Sequence, residues 1–308
     1  MIMTETLSGV LQGLLSGMLW GLDTSLNALV LTLNPFILDD PRLISSALLL
    51  AFFHDFFSAI FLTGDIVLRQ KEKLFIAILR NKSTYFVAFS ALFAGPIGMQ
   101  AYLYAVNSIG AGLTATISAI YPALAALLGA IFFKDYLTKR GGVGLSLVIL
   151  AVIALGSGQL DISNNLFFGG IAAFLCAGSW AAESIIIAYG IKEKLQPKQA
   201  LLIRQWTCCL AYLGLMSFEG NISYSLSIIF ETQIIFLILA VAMIGTMSYL
   251  CYYSAIDKVG PVKATGMNVT YSIWTAIFSL FIFGGNLDIK LVICGMLIII
   301  GTLFVIKN

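Results

Sequence analysis

Asp23 follows Trp20 by three residues and Glu183 follows Trp180 by three, each inside a long apolar run. Residues i and i+3 share a helix face, so each indole and its carboxylate project the same way. An ionisable group at the centre of a membrane helix costs about 2.5–3.5 kcal/mol on insertion scales, and such groups pair with each other or line a pathway. A carboxylate beside an indole suits an organic cation, the acid supplying charge and the ring an attractive face. Glu183 could also exchange a proton for such a cation. Ser16 and Asn27 extend the Trp20–Asp23 face into a polar stripe.

Further aromatics recur at an offset of 150: Tyr102 with Tyr252, and Tyr121 with Tyr271. Ser118 and Asn268 precede the second pair by three residues, and Trp274 follows Tyr271 by three. Together, Trp20, Asp23, Tyr102, Tyr121, Trp180, Glu183, Tyr252, Tyr271 and Trp274 form the candidate substrate site. The competing reading is structural, because Tyr and Trp also form interfacial belts and buried acids also bond neighbouring helices. His54 next to Asp55 suggests a proton relay, but adjacent helical residues face different ways, so the pair is given no such role. Asp65 and Arg69 have the i, i+4 spacing of a local ion pair. Arg204 is expected to snorkel to the membrane surface.

The elements that carry these residues follow from composition. Apolar residues make up 60% of the 308, charged residues only 10%, and the mean hydropathy is +0.99. A soluble domain carries about 25% charged residues, so the surface here has to face lipid. Crossing about 30 Å of hydrocarbon takes roughly 20 residues of helix. Apolar runs predict ten spans, near 8–31, 43–68, 84–106, 111–133, 141–158, 167–190, 201–218, 233–255, 262–283 and 290–306. The first run contains no separate cleavable signal pattern. A net charge of +2 and the lack of a basic, aromatic-interleaved stretch argue against a nucleic-acid partner. The five cysteines all fall inside spans without metal-ligand spacing, which makes them packing residues.

Lys and Arg in short loops set orientation. With the N-terminus in the cytoplasm, only Arg42 and Lys290 fall outside, among Asp39, Asp40, Asp161, Glu219, Glu231 and Asp288. Both termini are then expected inside. The offset of 150 also superposes Gly95 on Gly245, Gly110 on Gly260, Phe133 on Phe283 and Leu137 on Leu287. Two halves, 1–160 and 161–308, would each hold five spans. An odd number of spans inverts the second half relative to the first, the architecture whose halves rock about a midplane site.

These features resemble the drug/metabolite transporter superfamily, specifically its EamA-type members. The resemblance rests on Ala101-Tyr102-Leu103-Tyr104-Ala105, on Ile109-Gly110-Ala111-Gly112-Leu113, and on Tyr121-Pro122 with Asp135 thirteen positions after the proline. In the second half Ser272 takes the proline position and Gly285 the acidic one. The pattern is similar to the bacterial choline-permease branch, which implies choline or a related quaternary ammonium compound as substrate. The alternative is export of amino acids, drugs or other metabolites on the same fold.

The expected architecture is therefore all-α: a polytopic protein of ten transmembrane helices in two inverted five-helix repeats, in the bacterial cytoplasmic membrane. The expected activity is secondary transport without a cofactor, with protons as a candidate coupling ion. No Gly-x-x-x-x-Gly-Lys-Ser/Thr loop supports ATP hydrolysis. An enzyme would need a nucleophile–base set or a metal cluster, and the doublet Asp39-Asp40 has no partner motif.

Overall fold

In hydrocarbon the backbone has no water to bond, so a single spanning segment satisfies its polar groups as a helix. In the computed structural model, residues 2–38, 40, 42–70, 81–134, 137–156, 164–192, 195–284 and 289–306 are described, and all regular structure among them is helical. Asp135 and Gly285 of the family pattern lie outside these residues, as do several loop charges, among them Lys71, Lys73, Arg80, Asp161 and Lys194.

In chain order the helices are α1 (Ile2–Leu31), α2 (Ser46–Gln70), α3 (Ser83–Leu92), a π-helical turn (Phe93–Met99), α4 (Gln100–Ser118) and α5 (Tyr121–Phe133). They continue with α6 (Lys139–Gly156), α7 (Asn164–Lys192), α8 (Pro197–Glu219), α9 (Ile222–Glu231) and α10 (Ile234–Val259). The last three are α11 (Pro261–Asn268), α12 (Tyr271–Phe283) and α13 (Ile289–Ile306).

Among the described residues, 7 stretches are long and apolar enough to cross a bilayer. One of them, Ser83–Phe132, has 50 residues. A straight helix of that length would extend about 75 Å, over twice the hydrocarbon thickness. The chain interrupts it. Pro96 sits in the π turn, and Gly110 adopts φ 81°, ψ 158°, which glycine alone adopts readily. A turn at Ala119 and Ile120 then precedes Tyr121-Pro122 at the start of α5.

The second half repeats this plan. Gly260 has φ 83° and ψ 163°, matching Gly110. At the same offset of 150, α5 overlays α12 and α6 overlays α13, each pair equal in length. The corresponding starts of α2 and α8, and of α3 and α10, agree to within a residue.

The distribution of side chains is that of a membrane protein. Phe218 is 90% exposed and Phe281 83% exposed, whereas Asp23, His54, Asp55, Glu183, Arg204 and Gln205 are buried. Water would favour the reverse; lipid accepts the exposed rings and drives the ionic groups inward. The helices pack through small residues. Glycines 9, 13, 17 and 21 form a stripe along α1 against α10, α11 and α12. A Cβ at Gly17 would lie 2.7 Å from the Asn268 carbonyl oxygen, and one at Gly21 would lie 2.9 Å from that of Tyr271. Across α6 and α13, a Cβ at Gly144 or Gly301 would come 2.5 or 2.6 Å from the other's carbonyl oxygen.

Candidate functional site

The Trp20–Asp23 face of α1 and the Trp180–Glu183 face of α7 meet in the middle of the bundle. The two indoles lie 5.4 Å apart at 81°, edge to face. Tyr249 of α10 closes on Trp20 at 5.2 Å and 73°. Tyr121 of α5 closes on Trp180 at 6.0 Å and 85°. These rings, with Glu183, Ser248, Tyr252 and Asn268, line a cavity of about 20 Å³. That volume holds about one water, so the aromatic walls are nearly closed on each other. The indole N–H groups of Trp20 and Trp180 are buried and have no hydrogen-bond acceptor among the described residues.

Beneath the rings runs a chain of ionic contacts crossing from one half to the other. Asp23 accepts from Asn27 Nδ2 at 2.8 Å, and its other oxygen lies 3.2 Å from His54 Nε2. His54 Nδ1 lies 3.0 Å from Asp55 Oδ1. The second Asp55 oxygen faces Arg204 at 3.6 Å. Arg204 donates from Nε to Glu183 at 2.8 Å, from a second nitrogen to the Tyr249 hydroxyl at 2.9 Å, and from a third to Gln205 at 2.5 Å. Its guanidinium carbon stands 4.2 Å from the Tyr249 ring centre. Tyr253 donates to the same Glu183 oxygen at 2.6 Å. Three carboxyl groups thus face one guanidinium and one imidazole, so acids outnumber bases in this buried cluster.

The two halves contribute in parallel ways. In each, an acid on the first helix pairs with a base on the second: Asp23 with His54, and Glu183 with Arg204. His54 and Arg204 stand at the offset of 150. Tyr121 donates to Asn268 at 2.6 Å, while Tyr271 shares a 2.5 Å hydrogen bond with Ser118. Exchanging the halves converts one of these pairs into the other, the mark of a pseudo-two-fold relation.

Five of the nine sequence candidates line the cavity: Trp20, Tyr121, Trp180, Glu183 and Tyr252. Asp23, one helical turn from Trp20, lies outside the lining and bonds Asn27 and His54. Tyr102 packs behind them, its ring 4.9 Å from Trp180 and its hydroxyl 2.7 Å from Thr24. Tyr271 is buried at the Ser118 contact, away from the cavity lining. Trp274 points elsewhere: it stacks on Phe278 at 5.9 Å and lines a lateral apolar groove with Leu14, Met18 and Leu303.

Sequence spacing missed Tyr249, although its separation from Tyr252 repeats the i, i+3 pattern used for the tryptophans. Arg204 does not snorkel. It is 0% exposed because three acceptors and a tyrosine face compensate its charge in the core. The expected separation of His54 from Asp55 also fails, because the imidazole reaches both its neighbour's carboxylate and that of Asp23. Asp65 pairs with Lys198 at the start of α8, and the Arg69 side chain lies outside the described residues.

Comparison with known proteins fits this bundle. The EamA-like transporter family model matches residues 7–157 and again 167–307, nearly the whole chain in two copies. The chain belongs to the EamA-like transporter family. Members of that family are integral membrane transporters, not enzymes. The chain is also similar to Protein LicB of Haemophilus influenzae (strain ATCC 51907 / DSM 11121 / KW20 / Rd), 31% identical over 189 residues. That match spans 61% of this chain and 63% of LicB, so it leaves more than a third of the relative uncovered. A solved crystal structure with 17% identity superposes with a TM-score of 0.68, covering 99% of this chain and 98% of that one. At that identity the likeness concerns the fold alone.

Proposed function

We propose that this protein is a secondary transporter that carries choline or a related quaternary ammonium compound across the bacterial cytoplasmic membrane by alternating access. The observation that carries this reading is the aromatic cage of Trp20, Tyr121, Trp180 and Tyr249 above a buried cluster in which acids outnumber bases. A quaternary ammonium group donates no hydrogen bond, so ring faces and through-space charge are what it can use. Aromatic faces attract such cations by about 2 kcal/mol or more when desolvated. The free indole N–H groups of Trp20 and Trp180 suit an accepting hydroxyl such as choline's.

Ten spans in two inverted five-helix repeats, 1–160 and 161–308 with both termini cytoplasmic, provide the frame for this cycle. The crossed pairs Tyr121–Asn268 and Tyr271–Ser118 and the matched glycines Gly110 and Gly260 support it. The narrow cavity corresponds to a closed site, and a cation enters when rocking of the halves parts Trp20 from Trp180.

Purified protein in lipid vesicles should take up radiolabelled choline, and choline should raise its melting temperature more than betaine, amino acids or cationic dyes do. Absence of both binding and uptake removes the choline reading. Stabilisation by an amino acid or a dye instead favours a metabolite exporter.

A further inference from the structure

The trio Asp23–His54–Asp55 lies under the cage without lining it, and its geometry counts protons. We propose that His54 is held as an imidazolium between the two carboxylates and is the proton-carrying group of the transport cycle, with Glu183 fixed on Arg204. This rests on the transport reading above and names the group that couples it.

Both ring nitrogens have a carboxylate oxygen within hydrogen-bond distance, Asp23 Oδ1 at 3.2 Å and Asp55 Oδ1 at 3.0 Å. A neutral imidazole has one N–H, so its other nitrogen would turn a lone pair toward an anionic oxygen; an imidazolium donates to both. Burial makes that mismatch costly, since an unpaired polar contact away from water is not rescued by solvent.

The groups around the trio are charged or polar on every side. From α1 come Asp23 and Asn27, and from α2 come Asp55 and Ser58. From α8 come Arg204 and Gln205, with Cys208, Cys209 and Tyr212 further along the same helix. From α7 Glu183 faces Arg204, and from α10 come Thr246, Tyr249 and Tyr253. The α10 backbone covers the ring at Gly245, where a Cβ would fall on His54 Nε2 and lie 2.8 Å from Asp23 Oδ1. Arg204 is the one guanidinium facing the trio among these groups, and Glu183 takes its closest bond.

Release of the proton leaves one of the two imidazole bonds without a hydrogen. Asp55 keeps Arg204 nearby, so the contact given up is Asp23 to His54 Nε2, which joins α1 to α2. The Nε2–H bond breaks, its electron pair stays on nitrogen, and the proton passes to water admitted as the cage opens. Asp23 lies one turn from Trp20, so loss of the proton loosens the helix that carries a wall of the cage.

His54 is the single histidine of the chain, so isotope-labelled histidine gives one imidazole spectrum in the intact protein. Nitrogen NMR in lipid nanodiscs near neutral pH, without substrate, should show two protonated ring nitrogens. One protonated and one bare nitrogen overturns the proposal. In vesicles loaded with a pH-sensitive dye, choline uptake by the unaltered protein should move protons, and His54→Gln should lose that signal. A persistent proton signal in His54→Gln overturns the coupling role. Failure of the unaltered protein to move choline counts against the transport reading alone, because the spectrum reads the imidazolium with no substrate present.

Discussion

Replacing Trp180 by leucine removes one face of the cage while keeping an apolar side chain in the same place. Trp180 is the best perturbation because its ring meets Trp20 at 5.4 Å, Tyr102 at 4.9 Å and Tyr121 at 6.0 Å. Two effects have to be separated. Each lost aromatic pair weakens the fold by about 0.5–1.5 kcal/mol, which lowers the melting temperature whatever the ligand is. Loss of a desolvated cation–π face costs a bound quaternary ammonium about 2 kcal/mol, roughly a 30-fold rise in Kd. Trp180→Phe keeps a ring face and should lose only a small part of that affinity. Equilibrium binding of radiolabelled choline to purified protein measures both variants. The uncharged carbon isostere of choline, with a tert-butyl group in place of trimethylammonium, isolates the charge. It should bind the unaltered protein much more weakly than choline, and Trp180→Leu should narrow that gap. If Trp180→Leu stays folded and binds choline as tightly as Trp180→Phe does, the cage is not a cation site and the reasoning fails.

Arg204→Met leaves Glu183 buried beside Tyr253 without its cation, a loss of about 3–5 kcal/mol; Glu183→Gln combined with Arg204→Met should recover most of it, as read by thermal unfolding in detergent. Gly17→Ala drives a Cβ toward the Asn268 carbonyl oxygen and the Thr270 hydroxyl, whereas at Gly13 the nearest atom is the Met267 methyl, which can move. The first should destabilise by about 1–3 kcal/mol and slow uptake, and the second should be milder on both counts. Outside the membrane, the Arg42 guanidinium holds the Asp40 carboxyl well below the usual carboxylate range, with the Tyr224 hydroxyl assisting. A depressed acid stabilises above its unfolded pKa and loses that contribution only as pH falls through its folded value. The melting-temperature difference between the unaltered protein and Asp40→Asn should therefore stay constant down to about pH 4 and close below it.

The polar residues that sequence spacing identified are those whose position within one helix decides their direction. Trp20 with Asp23 and Trp180 with Glu183 could be read from a three-residue step, and the two faces do meet. The offset of 150 likewise anticipated the matching of Gly110 with Gly260 and of α5 with α12. What spacing could not supply is which helix lies opposite. Trp274 shares a face with Tyr271 on paper, yet the packing of α1 and α13 turns its ring into a lateral groove. Arg204 looked like an interfacial cation because nothing in its own helix neutralises it. Its partners come from α7 and α10, and from Gln205 beside it. Ser83–Phe132 is one long apolar stretch, which the sequence reading divides into 84–106 and 111–133 and whose backbone is interrupted at the π turn, at Gly110 and at Ala119–Ile120.

The repeat is close in shape and unequal in charge, and that inequality has a mechanical meaning. Each half sets an acid from its first helix on a base from its second, but the bases differ in kind. Arg204 is permanently charged, so its bond to Glu183 does not depend on a proton held by the base. An imidazolium can give up its proton where a guanidinium cannot, so the His54 bond to Asp23 can be broken by moving a single proton. Two fixed pairs would clamp the first two helices of each half to each other, and two titratable pairs would leave the core without an anchor. In the proposed cycle, one of each would let α1 swing against a second half that holds its shape. Exchanging His54 for arginine would copy the fixed pair into the first half, provided that the longer side chain is accommodated beneath Gly245. The His54→Arg protein should then be more thermostable and keep choline binding while uptake in vesicles falls steeply. Uptake at the unaltered rate in that variant would mean that the Asp23–His54 contact does not have to open.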